Sequence, residues 1–347
     1  MRRIAVINQK GGVGKTTTTA NLGAALARAG RKVLLIDLDP QGHLTLHFGA
    51  EVGAEQSTIY DVLTASTPLG DILIRPRERI ALAPADIDLA AAESELVSVT
   101  GREVLLREAI DALAEPFDAM IIDCPPSLGI LTINALAASS EIVIPLQAHF
   151  FGLQGLSKLL DTVMLVRQRI NPTLTISGIA LCLHEASTKL ATEISEDLTK
   201  FLEAARSAST PWSQARLYKT CIRRNIKLAE SSSFGQTVFD YAPKSNGASD
   251  YSNLAAEIFA GVEFAKVVEI NGATADSADA LDGPGSRPQG NGKAAIVAAA
   301  PRASLDGPMS DDAGGEGDAA GEGEAPAEPR LVARPAVPRR QTVAKSV

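Results

Sequence analysis

A glycine-rich loop between an apolar strand and a helix is the feature that most constrains the fold. Apolar residues predict a short buried strand over Arg3–Asn8, and a helical pattern runs from Lys15 to Ala29. The sequence between them, QKGGVGKTT, occupies Gln9–Thr17. Glycine allows close backbone approach, and such a loop points successive N–H groups into a concavity at a helix N-terminus. The chain is therefore predicted to begin with a strand–loop–helix unit that holds phosphate groups.

Further short apolar runs alternate with helical patterns along the chain, and Gly30 ends the first helix. Continuous apolar strands separated by helices predict an α/β fold, in which a mostly parallel sheet is covered by helices on both faces. The predicted strands are Val33–Asp37, Ile80–Ala83, Ala119–Asp123, Ile142–Leu146 and Ile176–Leu183, and the predicted helices are Arg102–Ala114, Ile130–Ala138, Leu153–Arg169, Leu190–Ala204 and Tyr251–Val268.

The C-terminal region differs from the rest in composition. From Asn271 onward there is no aromatic residue, while eight of the 19 prolines and eleven of the 28 glycines lie there. Such a segment buries too little apolar surface to offset its chain entropy. We therefore predict one folded domain over residues 1–269 and a disordered tail over 270–347, with an acidic block followed by a basic block.

Charge and cysteine content exclude several classes of protein. The formal charge is −8, and residues 1–269 hold 30 acids against 25 bases, which excludes a globally basic nucleic-acid binder but not a local basic patch. Three cysteines without a C-x-x-C pair argue against a zinc module and a disulfide scaffold, and they favour a reducing compartment. No signal-peptide layout or bilayer-length apolar run is present, so the sequence predicts a cytoplasmic protein without a membrane partner.

The loop also carries side chains suited to phosphate chemistry. Lys15 is placed to reach the β and γ phosphates of a nucleotide, and the Thr16 hydroxyl to ligate Mg²⁺. The general pattern G-x-x-x-x-G-K-[ST] has glycine where this chain has Gln9, and an additional lysine, Lys10, stands inside the loop.

The form K-G-G-x-G-K-[ST]-T resembles the deviant Walker A motif of the ParA/MinD family of P-loop ATPases. The resemblance implies ATP and Mg²⁺ as cofactors, and a homodimer that sandwiches the nucleotide. Lys10 would then reach across to the partner's phosphates as a catalytic cation, beside Lys15 in its own subunit. The nucleotide-binding residues that it implies are Lys10, Gly11, Gly12, Val13, Gly14, Lys15, Thr16 and Thr17.

Two aspartates at strand ends support the resemblance. The sequence D-L-D-P-Q-G from Asp37 to Gly42 resembles the family's second nucleotide motif, in which Asp39 would orient the attacking water and contact the Mg²⁺ shell. Asp123 ends another predicted strand and resembles the Walker B carboxylate that binds Mg²⁺ through water. Ligands of open α/β sheets gather at the carboxyl ends of strands, so these carboxylates are expected to lie near the loop.

Three further segments resemble the chromosomal ParA/Soj group more than MinD. They are Ile80–Ala85, Ala91–Leu96 and Ile121–Ala135. This resemblance implies an ATP-dependent DNA segregation ATPase, nucleoid-associated, whose hydrolysis is weak until a ParB-like centromere-binding protein stimulates it.

A basic run provides a candidate surface for nonspecific DNA. Five bases and no acid lie between Arg216 and Lys227, which suits phosphate contacts without base reading. A solvated strand-and-loop surface is the alternative. The family usually has proline at the position of Arg223, and an arginine near Ser187, where this chain offers Lys189. The candidate DNA-binding residues are Lys189, Lys219, Arg223, Arg224 and Lys227.

Other functions of the same fold stay open at this point. A related ATPase could position a protein cargo instead of DNA. A MinD-like membrane-associated ATPase would need a basic amphipathic C-terminal helix. An iron–sulphur electron carrier would need two cysteines per subunit at the dimer axis. His43 and His47 have the i, i+4 spacing of a helical metal pair, but the sequence offers no third ligand nearby.

Overall fold

The structure is a computed structural model that describes residues 1–53, 55–148, 150–185 and 189–260. The predicted tail and Ser187 lie outside the described residues. The domain boundary at residue 269 therefore stays a prediction. The helix predicted to run to Val268 ends at Ile258, because the chain leaves helical geometry at Phe259, which has a ψ of 50°.

The described chain alternates strands and helices, with two short 3₁₀ turns at Leu69–Ile72 and Leu96–Ser98. The strands are β1 Arg2–Val6, β2 Val33–Asp37, β3 Ile74–Arg77, β4 Ile80–Ala83, β5 Ala119–Asp123, β6 Glu141–Gln147, β7 Thr175–His184, β8 Arg216–Leu217 and β9 Ile222–Arg223. The helices are α1 Lys15–Arg28, α2 His43–His47, α3 Ile59–Thr64, α4 Leu89–Glu95, α5 Leu105–Asp111, α6 Ile130–Ala138, α7 Phe150–Arg169, α8 Lys189–Ala205, α9 Ile226–Ser233, α10 Val238–Tyr241 and α11 Asn246–Ile258.

The strands form one sheet in the order β3-β4-β2-β5-β1-β6-β7-β8, and β9 also pairs with β7. Every pairing among the described strands is parallel except β3 with β4, which is antiparallel. The predicted fold class is confirmed. Strand β3 was not predicted, because Ile74–Arg77 is a polar, half-exposed edge segment without an apolar run.

The core has two sides because the central strands of the sheet are buried on both faces. All five residues of β2 are buried, and so are all five of β5. Alternate residues point to opposite faces, so Ala5 and Ile7 pack into one apolar cluster while Ile4 and Val6 pack into the other. This double burial explains why the strands read as continuous apolar runs rather than as alternating patterns.

Several predicted helices have different boundaries, and local structure explains two of the different starting residues. Helix α5 begins at Leu105 rather than Arg102, because Gly101 has φ +76° and the chain turns there. Helix α11 begins at Asn246 rather than Tyr251, because the Ser245 side chain accepts a hydrogen bond from the Ala248 N–H and caps the helix. No helix among the described residues has the length and apolarity to cross a membrane.

The two histidines of α2 do not form a metal pair. His43 is exposed, while His47 is 2% exposed. His47 Nε2 has no hydrogen-bond partner in the described part of the chain, and burial lowers the pKa of His47 to about 4. Within residues 1–53, 55–148, 150–185 and 189–260, no cluster of three or more His, Cys, Asp or Glu side chains is arranged to hold a metal ion.

The burial of neutral His47 predicts a contribution to stability that is lost at acidic pH. The unfolded state takes up a proton near pH 6.5 and the folded state only near pH 4, so the contribution of this group falls as the pH drops through that range. We expect about 2 kcal/mol of the free energy of unfolding to be lost through this group between pH 7.5 and pH 5. Denaturant titrations of His47→Leu should show a loss smaller by that amount, whereas exposed His43→Leu should match the wild type. An unchanged pH slope in His47→Leu would contradict this assignment.

Candidate nucleotide site

The glycine-rich loop leaves β1 at the centre of the sheet and leads directly into α1. Gly12 and Gly14 have φ of +72° and +91°, a region that other residues rarely adopt. Gly14 immediately precedes α1, and its carbonyl accepts the Thr18 N–H at 2.9 Å. The first N–H groups of the helix have no partner within the helix, so this end favours an anion.

Asn8 fixes the start of the loop. Its side-chain amide donates to the Pro145 carbonyl of β6 at 2.7 Å, and its Oδ1 accepts the Lys10 N–H at 3.0 Å. Asn8 is 5% exposed, and its contact with Pro145 is buried while that with Lys10 is partly buried. Asn8 was not among the predicted site residues, although a polar side chain at the end of an apolar strand was the available signal.

Lys15 is held inside the site by loop and acidic groups. Its side chain is buried, and Nζ donates to the Lys10 carbonyl at 3.2 Å. Burial lowers the pKa of Lys15, and the carboxylates of Asp123 and Asp39 partly oppose this effect. A phosphate group would supply the compensating negative charge that this buried ammonium group needs.

Asp123 ends β5, the strand next to β1, and is fully buried. It is the register partner of Val6 on β1 and of Asp37 on β2. The Thr16 hydroxyl donates to Asp123 Oδ2 at 2.6 Å, and the Thr19 hydroxyl donates to Oδ1 at 3.3 Å. Burial, and then the neighbouring Asp37 carboxylate, raise the pKa of Asp123 to about 8.

The second acidic motif follows β2 and lies at the same edge of the sheet. Asp37 is fully buried, and burial raises its pKa to about 6 although hydrogen bonds from Thr45 and Asp39 oppose this. Asp39 is 8% exposed, and its Oδ1 accepts the Gln41 N–H at 3.0 Å. Asp39 was a predicted site residue, whereas the buried Asp37 carboxylate was not.

The donor set fits a divalent cation beside phosphates. The Thr16 hydroxyl and the Asp123 carboxylate are in contact, and Asp39 is close enough to act electrostatically on Asp123. Mg²⁺ prefers such oxygen ligands, and the buried carboxylates of Asp37 and Asp123, whose pKa values are raised, need a positive charge nearby. The structure thus brings together Lys15, Thr16, Asp39 and Asp123, whereas the action of Lys10 on a partner subunit stays a prediction.

The predicted DNA-binding run is not acid-free in the folded protein. Arg223 forms a double ion pair with Asp250 of α11, with an Nη2–Oδ1 distance of 2.6 Å, and Asp250 is largely buried. The other two pairs are exposed or partly exposed: Arg224 Nε is 3.1 Å from Glu185, and Lys227 Nζ is 2.7 Å from Glu230. In addition, Glu257 of α11 accepts the Lys219 N–H at 2.8 Å. Lys189 is exposed at the start of α8.

The cysteines do not support an iron–sulphur centre. Cys124 and Cys182 are buried, and Cys221 is partly buried. Burial raises the pKa of all three thiols, to about 12 for Cys182. Cys182 packs behind the glycine-rich loop, where its Sγ lies 3.9 Å from the Thr18 hydroxyl. Neutral, buried thiols are poor metal ligands.

Comparisons with known proteins agree with this geometry. A protein-family model described as an AAA domain matches residues 1–176. The sporulation initiation inhibitor protein Soj of Bacillus subtilis is 45% identical over 74% of this chain and 98% of its own length. The chromosome partitioning protein ParA of Myxococcus xanthus is 40% identical over 74% of this chain and 87% of its own.

A similar solved structure is named cobyrinic acid a,c-diamide synthase from Mycobacterium smegmatis, with bound ATP analogue and magnesium. Its TM-score is 0.61 at 36% identity, and the match covers 74% of this chain and 93% of that one.

The adjacent buried carboxylates predict opposite effects of one substitution. Above the raised pKa of Asp123, at about pH 9, Asp123→Asn removes a buried charge beside Asp37, so the nucleotide-free protein should gain about 1 kcal/mol, or roughly 2–4 °C in melting temperature. The same variant should lose the additional stabilisation that Mg²⁺ gives to the nucleotide complex. Differential scanning fluorimetry with ATP, with and without Mg²⁺, checks both effects, and Asp71→Asn at an exposed position is the control. A variant that is less stable without nucleotide would contradict the proposed repulsion.

Proposed function

Because the chain belongs to the Soj/ParA group of P-loop ATPases, we propose that it is an ATP-dependent DNA-partitioning ATPase. The observation that carries the proposal is the convergence of Lys15, Thr16, Asp39 and Asp123 on one edge of the sheet. ATP and Mg²⁺ are the ligands that fit this edge. The similar structure crystallised with an ATP analogue and magnesium supports the same ligands.

Each residue has a physical task in hydrolysis. Backbone N–H groups of the loop and the Lys15 ammonium group bind the phosphates and stabilise the charge that develops on them. Thr16 and Asp123 hold Mg²⁺, which supplies charge neutralisation when it is bound. Asp39 orients the attacking water. Phosphoryl transfer depends mostly on such positioning and electrostatics, so no covalent intermediate on the protein is needed.

We infer that two subunits close on ATP and that Lys10 completes the partner's site. Lys10 lies in the loop that binds its own phosphates, and its backbone is fixed through Asn8 and Lys15. A second cation at the phosphates would act like an arginine finger. Hydrolysis is then weak in the single subunit and rises when a partner protein stabilises the closed dimer.

The DNA-binding step is proposed to depend on this dimer. One subunit offers a modest basic surface, because Asp250, Glu185 and Glu230 balance part of its charge. Pairing two such surfaces raises avidity without any new contact. ATP binding would therefore switch nonspecific DNA binding on, and hydrolysis stimulated by a ParB-like centromere-binding protein would release it. The protein would be cytoplasmic and associated with the nucleoid.

Two related functions are alternatives with different predictions. Positioning of a protein cargo uses the same ATPase cycle, and a ParB-type gene beside this one would favour segregation. A MinD-like membrane function is not favoured by α11, since its apolar residues Tyr251, Leu254 and Ile258 pack into the core. Amidation of cobyrinic acid is the activity named for one similar structure, whereas the relatives with higher identity are named for partitioning and sporulation control.

The proposed dimer predicts different defects for the two lysines. Lys15→Ala should lose ATP binding. The substitution removes the only lysine among the described residues that is buried beside the phosphate loop. Lys10→Ala should still bind ATP but stay monomeric, with hydrolysis reduced at least about tenfold. Light scattering with a non-hydrolysable ATP analogue, together with binding of a fluorescent ATP analogue, separates the two. Dimerisation of Lys10→Ala would argue against a trans-acting role.

The exposed bases predict a defect in DNA binding alone. The double variant Lys219→Gln/Arg224→Gln should weaken ATP-dependent binding to nonspecific duplex DNA about tenfold and lower the salt slope by roughly 2. Arg223 is left intact, because breaking its contact with buried Asp250 would destabilise the fold. The matched control, Arg31→Gln/Lys32→Gln, removes two exposed bases that follow the C-terminal end of α1, the end away from the glycine-rich loop. Equal losses in both double variants would show that only net charge matters.

A further inference from the structure

The two ends of the loop that carries Asp39 are joined by hydrogen bonds to the carboxylate of Asp37. Asp37 precedes the loop at the end of β2, and Thr45 follows it in α2. The Thr45 N–H and the Thr45 hydroxyl both donate to Asp37 Oδ2, each at 2.8 Å. Asp37 Oδ1 accepts the N–H of Asp39 itself at 3.3 Å. Both oxygens of the buried Asp37 carboxylate are thus used to hold the two ends of the loop.

Thr45 also connects this loop to the neighbouring strand. Its hydroxyl oxygen accepts the Ala85 N–H, just after β4, at 3.1 Å. A Cβ at Gly42 would lie 2.9 Å from the Ala85 carbonyl oxygen, so the loop packs directly on that backbone. Thr45 is 2% exposed and Ala85 3%, which leaves no water to replace these hydrogen bonds. One hydroxyl group therefore ties the Asp39 loop to two adjacent strands.

We propose that Thr45 is a positioning residue for ATP hydrolysis, which it serves by fixing the loop that presents Asp39 to the attacking water. Within the described residues, Asp39 is otherwise held by the Gln41 N–H on its carboxylate and the Gly42 N–H on its carbonyl, both inside the same loop. Without the Thr45 hydroxyl, the Ala85 N–H is unpaired and the loop loses its link to β4. A displacement of about 1 Å at the reacting groups can cost about 100-fold in rate.

This role separates binding from chemistry. Phosphates are bound by the loop before α1 and by Lys15, on the other side of Asp123 from Thr45, so ATP affinity should depend little on Thr45. The inference rests on the proposed ATP hydrolysis, in which Asp39 orients the water. It adds a residue that contacts neither the water nor the nucleotide and acts through Asp37 and the loop.

The test compares Thr45→Val, which keeps the shape, with Thr45→Ser, which keeps the hydroxyl. We expect Thr45→Val to lower kcat about 10- to 100-fold with KM for ATP within about threefold of the wild type. Thr45→Ser should restore kcat to within about threefold. Thr199→Val on α8, whose hydroxyl bonds only within its own helix, is the matched control.

A readout without nucleotide accompanies the kinetics. Amide hydrogen exchange of the nucleotide-free protein should accelerate at residues 39–44 and at Ala85 in Thr45→Val, but not in the loop at residues 11–17. If Thr45→Val does not fold, Thr45→Ala, which keeps the backbone contact to Asp37, takes its place. Unchanged kcat in the hydroxyl-free variant, or a Thr45→Ser loss as large as that of Thr45→Val, would overturn the inference. Failure of the proposed function itself would appear separately. In that case Asp39→Ala would hydrolyse ATP at the wild-type rate, or the wild type would not hydrolyse ATP.

Discussion

The arrangement of the site depends on two buried carboxylates at the ends of adjacent strands. Asp37 and Asp123 are register partners on β2 and β5, and both are completely buried. Burial raises both pKa values, and the charge of Asp37 raises that of Asp123 further, so each carboxylate must be stabilised by the groups around it. Thr16 and Thr19 donate to one, and Thr45 donates to the other. The glycine-rich loop and the Asp39 loop are thereby attached to the same point of the sheet.

Helix α11 connects this edge to the basic surface. Tyr251 makes a 3.1 Å hydrogen bond to Thr18 of α1, and both side chains are buried. The preceding residue, Asp250, accepts the backbone N–H and the guanidinium of Arg223. One turn of α11 therefore contacts both α1, the helix that follows the phosphate loop, and β9, the strand that carries Arg223. The candidate nucleotide site and the basic run are thus connected through hydrogen bonds of α11.

The sequence predicted the central strands and the loop well because their signals are local. β2, β4 and β5 have the predicted bounds, since continuous apolar runs of that length can only be buried strands in this context. Short helices such as α2 were missed, because five residues carry too little periodicity to be recognised. Thr45 and Asn8 were missed for a different reason: their partners, Ala85 and Pro145, lie 40 and 137 residues away in the sequence.

By itself, the sequence determined the class of fold and the family, and it predicted the residues of the phosphate loop, because strand, loop and helix N-terminus are consecutive along the chain. It also showed that a negative net charge leaves room for a local run of bases. Only the tertiary structure decided which charges face each other. Asp250 and Glu185 come from segments distant in the sequence to pair with Arg223 and Arg224, whereas Glu230 pairs with Lys227 three residues before it on α9. Electrostatic interaction depends on distance in space, and a run of bases in the sequence does not contain that information.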